Sequence, residues 1–166
     1  MKQVIADALT RALVRLPYLP SPDRVIDAAL RLAKPRTGEV LADLGCGDGR
    51  VLIRAAKDYG VFAVGFEIHP VLVRLALREV RLRGLQGLVE VVHGDFFQAD
   101  LSRFHVIYVY PSPSVIKRLA EKLLAECRRD CRVVIHDHLL PDVKPVRVLA
   151  LPTQGPHVHL IGLYTF

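Results

Sequence analysis

The chain of 166 residues contains no tryptophan and no asparagine, a single methionine and only three cysteines. The cysteines stand at 46, 127 and 131. An odd and small number fits a reducing compartment better than a secreted disulfide framework, so a cytoplasmic location is expected. No run of about 18 uncharged apolar residues occurs, which excludes a membrane-spanning helix, and no membrane partner is expected. The first residues interrupt their apolar pattern with Asp7, Arg11 and Arg15 and carry no small-residue cleavage site, so they read as part of the fold rather than a signal peptide. Repeats, low-complexity tracts and interdomain linkers are absent too. Lys and Arg number 23 against 17 Asp and Glu, a net charge of +6, but the basic residues are scattered. Nucleic-acid partners are therefore permitted without being implied.

With 51% hydrophobic and 24% charged residues the balance is that of one compact domain. A chain of this length hides about 70% of its unfolded surface, enough for a core without metal or disulfide. Residues 1–166 are read as a single domain, with a helical segment at 1–34 and an α/β core at 39–166. Apolar residues from Val4 to Leu16 recur at helical spacing as far as Pro17, and Ser21-Pro22 suits the start of a second helix running to about Ala33. From Glu39 short β-rich runs alternate with helical patterns, the mark of strand-helix units and a parallel sheet. The strands are Val40–Leu44, Val61–Glu67, Val89–His93, Val106–Tyr110 and Arg132–His136; the helices are Val51–Tyr59, Val71–Arg83 and Ser114–Cys127. Val146–Leu151 and Val158–Thr165 have no helix between them and should pair antiparallel. The result is a Rossmann-like, doubly wound sheet of seven strands with a C-terminal hairpin.

The first core strand runs into Asp43-Leu44-Gly45-Cys46-Gly47-Asp48-Gly49-Arg50 and then a helix. Glycines at such a turn let the backbone bend sharply and approach a ligand closely, beside the helix's free N–H groups. The dinucleotide fingerprint G-x-G-x-x-G is broken, because Arg50 stands at its sixth position, and this argues against an NAD-linked dehydrogenase. Glu67 ends the second strand, and Gly94-Asp95-Phe96 follows the third. The G-x-G-x-G spacing with these acids at three successive strand ends resembles motif I and its companions in the class I S-adenosylmethionine (SAM) methyltransferases. That resemblance implies a seven-stranded sheet ending in a hairpin. It also implies a loop at Asp43, Gly45, Cys46 and Gly47 under the amino-acid part of the cofactor. Glu67, beside Ile68, would hold the ribose hydroxyls, and Asp95 with Phe96 would hold the adenine.

Enzymes that methylate base amines usually carry [D/N]-P-P-[Y/F] after the fourth strand; here Tyr108-Val109-Tyr110-Pro111-Ser112-Pro113 offers no Asp or Asn at that place. The longer pattern is similar to the small archaeal protein lysine methyltransferases of broad specificity that lack a SET domain. It is carried by Pro17-Tyr18-Leu19-Pro20-Ser21-Pro22, the glycine loop, His93-Gly94-Asp95-Phe96-Phe97, Tyr110, His136-Asp137 and Lys144-Pro145-Val146. The resemblance implies that Tyr18, Pro20 and Ser21 fold over the cofactor and that Tyr110 lies beside an acceptor amine, with His136 and Asp137 facing the same channel. The expected catalytic residues are thus Tyr110, His136 and Asp137, and the expected partners are proteins with accessible lysines. Pro111, Pro113, Ile135, His138 and Val143 depart from the family pattern around the acceptor entrance. Two alternatives stay open: an RNA or small-molecule acceptor, and a SAM-binding partner subunit without catalysis. No metal is expected. Cys127, Cys131, His136 and His138 are badly spaced for zinc, and His157 and His159 read as ordinary surface or interface histidines on one face of the last strand.

Overall fold

The computed structural model describes residues 18–166, so the helix expected at Val4–Leu16 lies outside the described residues. Helix α1 spans Asp23–Ala33. It buries Val25, Ile26, Ala29, Leu30 and Ala33, one stripe at helical spacing. Its N-cap is Pro22 with no side-chain cap bond, so Ser21 does not start the helix as its sequence position suggested. At the other end the Arg132 guanidinium donates to the carbonyls of Ala33 and Lys34 and to Glu39 Oε2 at 2.6–2.8 Å, tying the helix to the sheet.

The core continues as β1 (Val40–Leu44), α2 (Arg50–Tyr59), β2 (Phe62–Glu67), α3 (Pro70–Leu82), β3 (Val89–His93), β4 (Val106–Val109), α4 (Ile116–Glu126), β5 (Arg132–His136), β6 (Arg147–Pro152) and β7 (Val158–Thr165). The sheet order is β3-β2-β1-β4-β5-β7-β6, with β7 antiparallel to both neighbours. The seven strands and the terminal hairpin agree with expectation. Tyr110 falls one residue beyond β4, and the helix expected from Ser114 opens as a short 3-10 turn at Pro113–Val115, where Pro113 supplies the first position.

Alternation along the strands explains the two-sided core. On β4, Val106 and Tyr108 pack into the cluster under α1 and α2, while Ile107 and Val109 pack under α4 with Leu119 and Leu123. Successive side chains of a strand point to opposite faces, and a parallel sheet covered on both faces demands apolar residues at nearly every position. Chain order reverses between β1 and β4, and in such sheets ligands bind in the crevice beyond the strand ends at that switch point.

Candidate functional site

A cavity of about 320 Å³ occupies that crevice. Its floor is the turn from Gly45 to Asp48, one wall is Glu67 to His69, and Tyr18, Pro20 and Ser21 close it opposite Tyr108 and Tyr110. Gly47 has φ +55°, and a Cβ built on it would lie 2.5 Å from Tyr18 Cε2. The ring therefore rests directly on the backbone of the turn, in a place only glycine leaves open.

Two carboxylates dominate the floor. Glu67 accepts from Gly47 N–H at 2.9 Å through Oε2 and from His69 N–H at 2.8 Å through Oε1, which locks it in place and leaves further lone pairs for a ligand. Asp43 is buried and its side chain has no hydrogen-bond partner among the described residues; desolvation, then the charges of Glu67 and Asp48, push its carboxyl well above the ordinary range. Burial likewise pushes the Cys46 thiol up, which keeps it a neutral wall residue. A pair of acids with spare acceptor capacity suits a ligand that brings hydroxyl donors and a positive charge.

The segment over the cavity is held by Arg50. Its guanidinium clamps Asp48, with Nε to Oδ1 at 3.0 Å and Nη2 to Oδ2 at 2.7 Å, and donates to the Ser21 carbonyl at 3.3 Å. Asp48 is desolvated, yet the Arg50 clamp keeps its carboxyl below the usual range. Burial, with Asp48 beside it, raises Tyr18, so its phenol stays protonated. The Ser21 hydroxyl meets Tyr108 Oη at 2.6 Å and His136 Nδ1 at 3.0 Å.

On the other side, Tyr110 lines the cavity and donates to Asp137 Oδ2 at 3.0 Å; burial and this carboxylate push its phenol up to about 12. The Tyr110 ring packs against His136 at a centroid distance of 3.9 Å. His136 is fully buried, desolvation holds its pKa down at about 4, and both ring nitrogens are engaged, Nδ1 with Ser21 and Nε2 with His159 Nδ1 at 3.0 Å. Asp137, in left-handed backbone at φ +61°, accepts from Leu160 N–H at 3.1 Å and lies 3.1 Å from His157 Nε2. Its own burial would raise it, but His136 and these bonds hold it low.

Most of the residues singled out from sequence meet here: Tyr18, Pro20, Ser21, Asp43, Gly45, Cys46, Gly47, Glu67, Ile68 and Tyr110 all line the cavity. Asp95 and Phe96 do not. Asp95 caps the 3-10 turn at Phe96–Gln98 through Phe97 N–H at 2.9 Å, beside Glu67 at the neighbouring strand end. Neither His136 nor Asp137 lines the cavity; both contact Tyr110, and His136 also bonds Ser21, from behind the lining. Pro111 and Pro113 contribute nothing to the lining, so they do not obstruct it. His157 and His159 are not ordinary surface histidines, since both converge on Asp137. Arg50 and Tyr108 carry roles the sequence did not suggest: Arg50 stood out only as the residue that breaks a fingerprint, and Tyr108 only within the segment that lacks the base-amine motif.

Residues 43–147 match the family model described as ANTKMT methyltransferase domain. The chain is 36% identical over 150 residues to a protein-lysine N-methyltransferase of Saccharolobus islandicus, covering 90% of this chain and 92% of that one. It is 34% identical over 142 residues to the adenine nucleotide translocase lysine N-methyltransferase of Mus musculus, spanning 61% of that enzyme's length. Among solved structures, an RNA methyltransferase from Salinibacter ruber in complex with S-adenosyl-L-homocysteine superposes with a TM-score of 0.81 at 37% identity, covering 89% of this chain and 93% of that one.

Proposed function

The chain belongs to the ANTKMT methyltransferase domain family and its cofactor is SAM; from that premise we propose that it methylates the side-chain amines of lysines in protein substrates. The observation that carries the reading is the similarity to the archaeal protein-lysine enzyme over nine-tenths of both chains.

The cavity fits the cofactor. The Asp43 carboxyl, without a hydrogen-bond partner among the described residues, suits a positive charge, Glu67 has acceptor capacity left for a diol, and Gly47 leaves room for close approach under the Tyr18 ring. When bound, SAM supplies a sulfonium methyl group, transferred by in-line displacement. What remains for the protein is to align the acceptor lone pair and exclude water. Because the Tyr110 hydroxyl donates its hydrogen bond to Asp137, the lone pairs of its oxygen remain free to accept an amine N–H at the cavity wall and aim the nitrogen. His136 supports the ring from behind and so acts as a positioning residue, as does Asp137. A lysine amine attacks only when neutral, and a dry site beside a sulfonium disfavours the ammonium form. Asp95 and Phe96 extend the reading past the cavity rim toward the adenine. A cytoplasmic location belongs to the same proposal, supported by three cysteines that are all free thiols.

A second reading, an RNA acceptor, is favoured by the similarity to the Salinibacter ruber RNA methyltransferase. One experiment separates them: the purified chain is incubated with methyl-labelled SAM and cell extract, and the product is split between protease and nuclease before mass spectrometry. Label in lysine peptides is the expected result; label released by nuclease would replace the lysine reading with the RNA one.

A further inference from the structure

The cluster behind Tyr110 has a geometry that methyl transfer does not require. His136 Nε2 lies 3.0 Å from His159 Nδ1 and 3.4 Å from Asp137 Oδ2, and His159 Nδ1 lies 3.2 Å from the same oxygen. With Asp137 ionised and both imidazoles neutral, no placement of protons satisfies all three sides of the triangle. If either imidazole accepts from the other, its lone pair also faces the carboxylate; if both donate to the carboxylate, two N–H groups face each other at 3.0 Å. His157 Nε2 repeats the conflict, at 3.1 Å from both Asp137 Oδ2 and His159 Nδ1. A cation facing three lone pairs removes it.

The dimensions agree. Bonds of about 2.0–2.2 Å to zinc place neighbouring ligand atoms roughly 3.0–3.5 Å apart, depending on whether four or six ligands surround the ion. The three separations fall in that range. The side chains are nearly dry, with relative exposures of 0%, 8% and 12% for His136, Asp137 and His159. Two of the three ligands are also oriented from outside the triangle: His136 through Nδ1 by Ser21 Oγ, and Asp137 by Tyr110 Oη and Leu160 N–H. Such supporting bonds fix the tautomer and direction of metal ligands. The residues arrive from the end of β5, the left-handed turn after it, and the antiparallel strand β7.

We propose that His136 Nε2, His159 Nδ1 and Asp137 Oδ2 form a binding site for a divalent transition metal ion, with exposed His157 at its open side. Two imidazoles and one carboxylate suit zinc and disfavour magnesium or calcium, which take oxygen ligands. The ion would hold Asp137, and through it Tyr110, without touching the acceptor. This inference stands independently of the acceptor's identity, and its readout is metal binding rather than turnover.

The test uses the full chain, stripped with chelator and titrated with Co2+ as a spectroscopic probe and then Zn2+ as competitor. The expected result is one Co2+ per chain with d–d absorption that Zn2+ abolishes. His159→Ala should weaken binding more than about 100-fold, and Ser21→Ala by about 10- to 100-fold, the range for loss of a supporting bond. Cys131→Ser should leave it unchanged. Circular dichroism checks each variant's fold, and His159→Gln replaces His159→Ala should the latter fail to fold. Absence of Co2+ uptake by the wild type, or equal uptake by a folded His159 variant, would overturn the site.

Discussion

Replacing Gly47 by alanine tests the closest backbone approach in the cavity. The residue sits at φ +55°, where an L side chain costs about 1–2 kcal/mol whatever surrounds it. The new methyl would also lie 2.5 Å from Tyr18 Cε2, against an optimal carbon separation of about 3.5–4.0 Å, so the ring must retreat by about 1 Å. Backbone strain alone predicts a fall in Tm of about 2–8 °C for a chain of this size. Displacement of Tyr18 predicts a further loss in affinity for S-adenosylhomocysteine, measured by calorimetry. The two effects separate in a double-mutant cycle with Tyr18→Ala, which removes the ring the methyl would strike. In the Tyr18→Ala background Gly47→Ala should cost only its strain, leaving a coupling in binding of about 1 kcal/mol or more. Additive effects on affinity would refute the seating of Tyr18 on Gly47 as the reason glycine is needed there.

Tyr110→Phe keeps the ring against His136 and removes the oxygen aimed at the acceptor, so kcat should fall by about 10- to 100-fold while affinity for S-adenosylhomocysteine is unchanged; unchanged kcat in a single-turnover assay would remove its role. The Asp43 carboxyl titrates above its unfolded value, so the folded chain holds the extra proton and stability falls as pH rises through the window between the two values. Asp43→Asn should accordingly raise the Tm of the ligand-free protein at neutral pH yet weaken SAM binding by about 10- to 100-fold, the range for losing a charged hydrogen bond; equal affinity would sink the charge argument. Glu39 behaves oppositely: burial would raise it, but the hydrogen bond and charge of Arg132 hold it below its unfolded value. Its stabilisation is present above the unfolded pKa and lost as pH falls through the folded one, so Glu39→Gln should lower Tm at pH 7 by about 2–8 °C and converge with wild type in acid melts.

The cofactor side of the site was legible because its signals are local. A glycine turn leaving a strand, and an acid two residues before it, are placed by backbone geometry that a few consecutive residues determine. The strand pattern put Glu67 at a strand end and the family resemblance assigned it to the cofactor, and β2 indeed pairs with β1 from Val40 opposite Phe62 to Leu44 opposite Phe66. Failures began where a side chain's direction depends on distant partners. Ser21 looks like a helix cap or a cofactor contact by position, yet its hydroxyl is committed to residues 87 and 115 positions away. His157 and His159 were seen to share a strand face, but nothing local says that β7 will run antiparallel beside β5 and deliver them to Asp137. The left-handed turn at Asp137, which aims the carboxylate back, is equally invisible in the letters.

The commitment of Ser21 joins the two halves of the site. Arg50 anchors the Ser21 carbonyl to the glycine loop, while the Ser21 hydroxyl anchors Tyr108 and His136 on β4 and β5. His136 in turn packs against Tyr110, the residue proposed to orient the acceptor nitrogen. The segment over the cofactor cavity and the acceptor-facing tyrosine therefore share a hydrogen-bonded residue, and neither can shift without straining the other. A perturbation on the cofactor side, such as loss of the Arg50–Asp48 clamp, should thus be felt at Tyr110 before any substrate arrives.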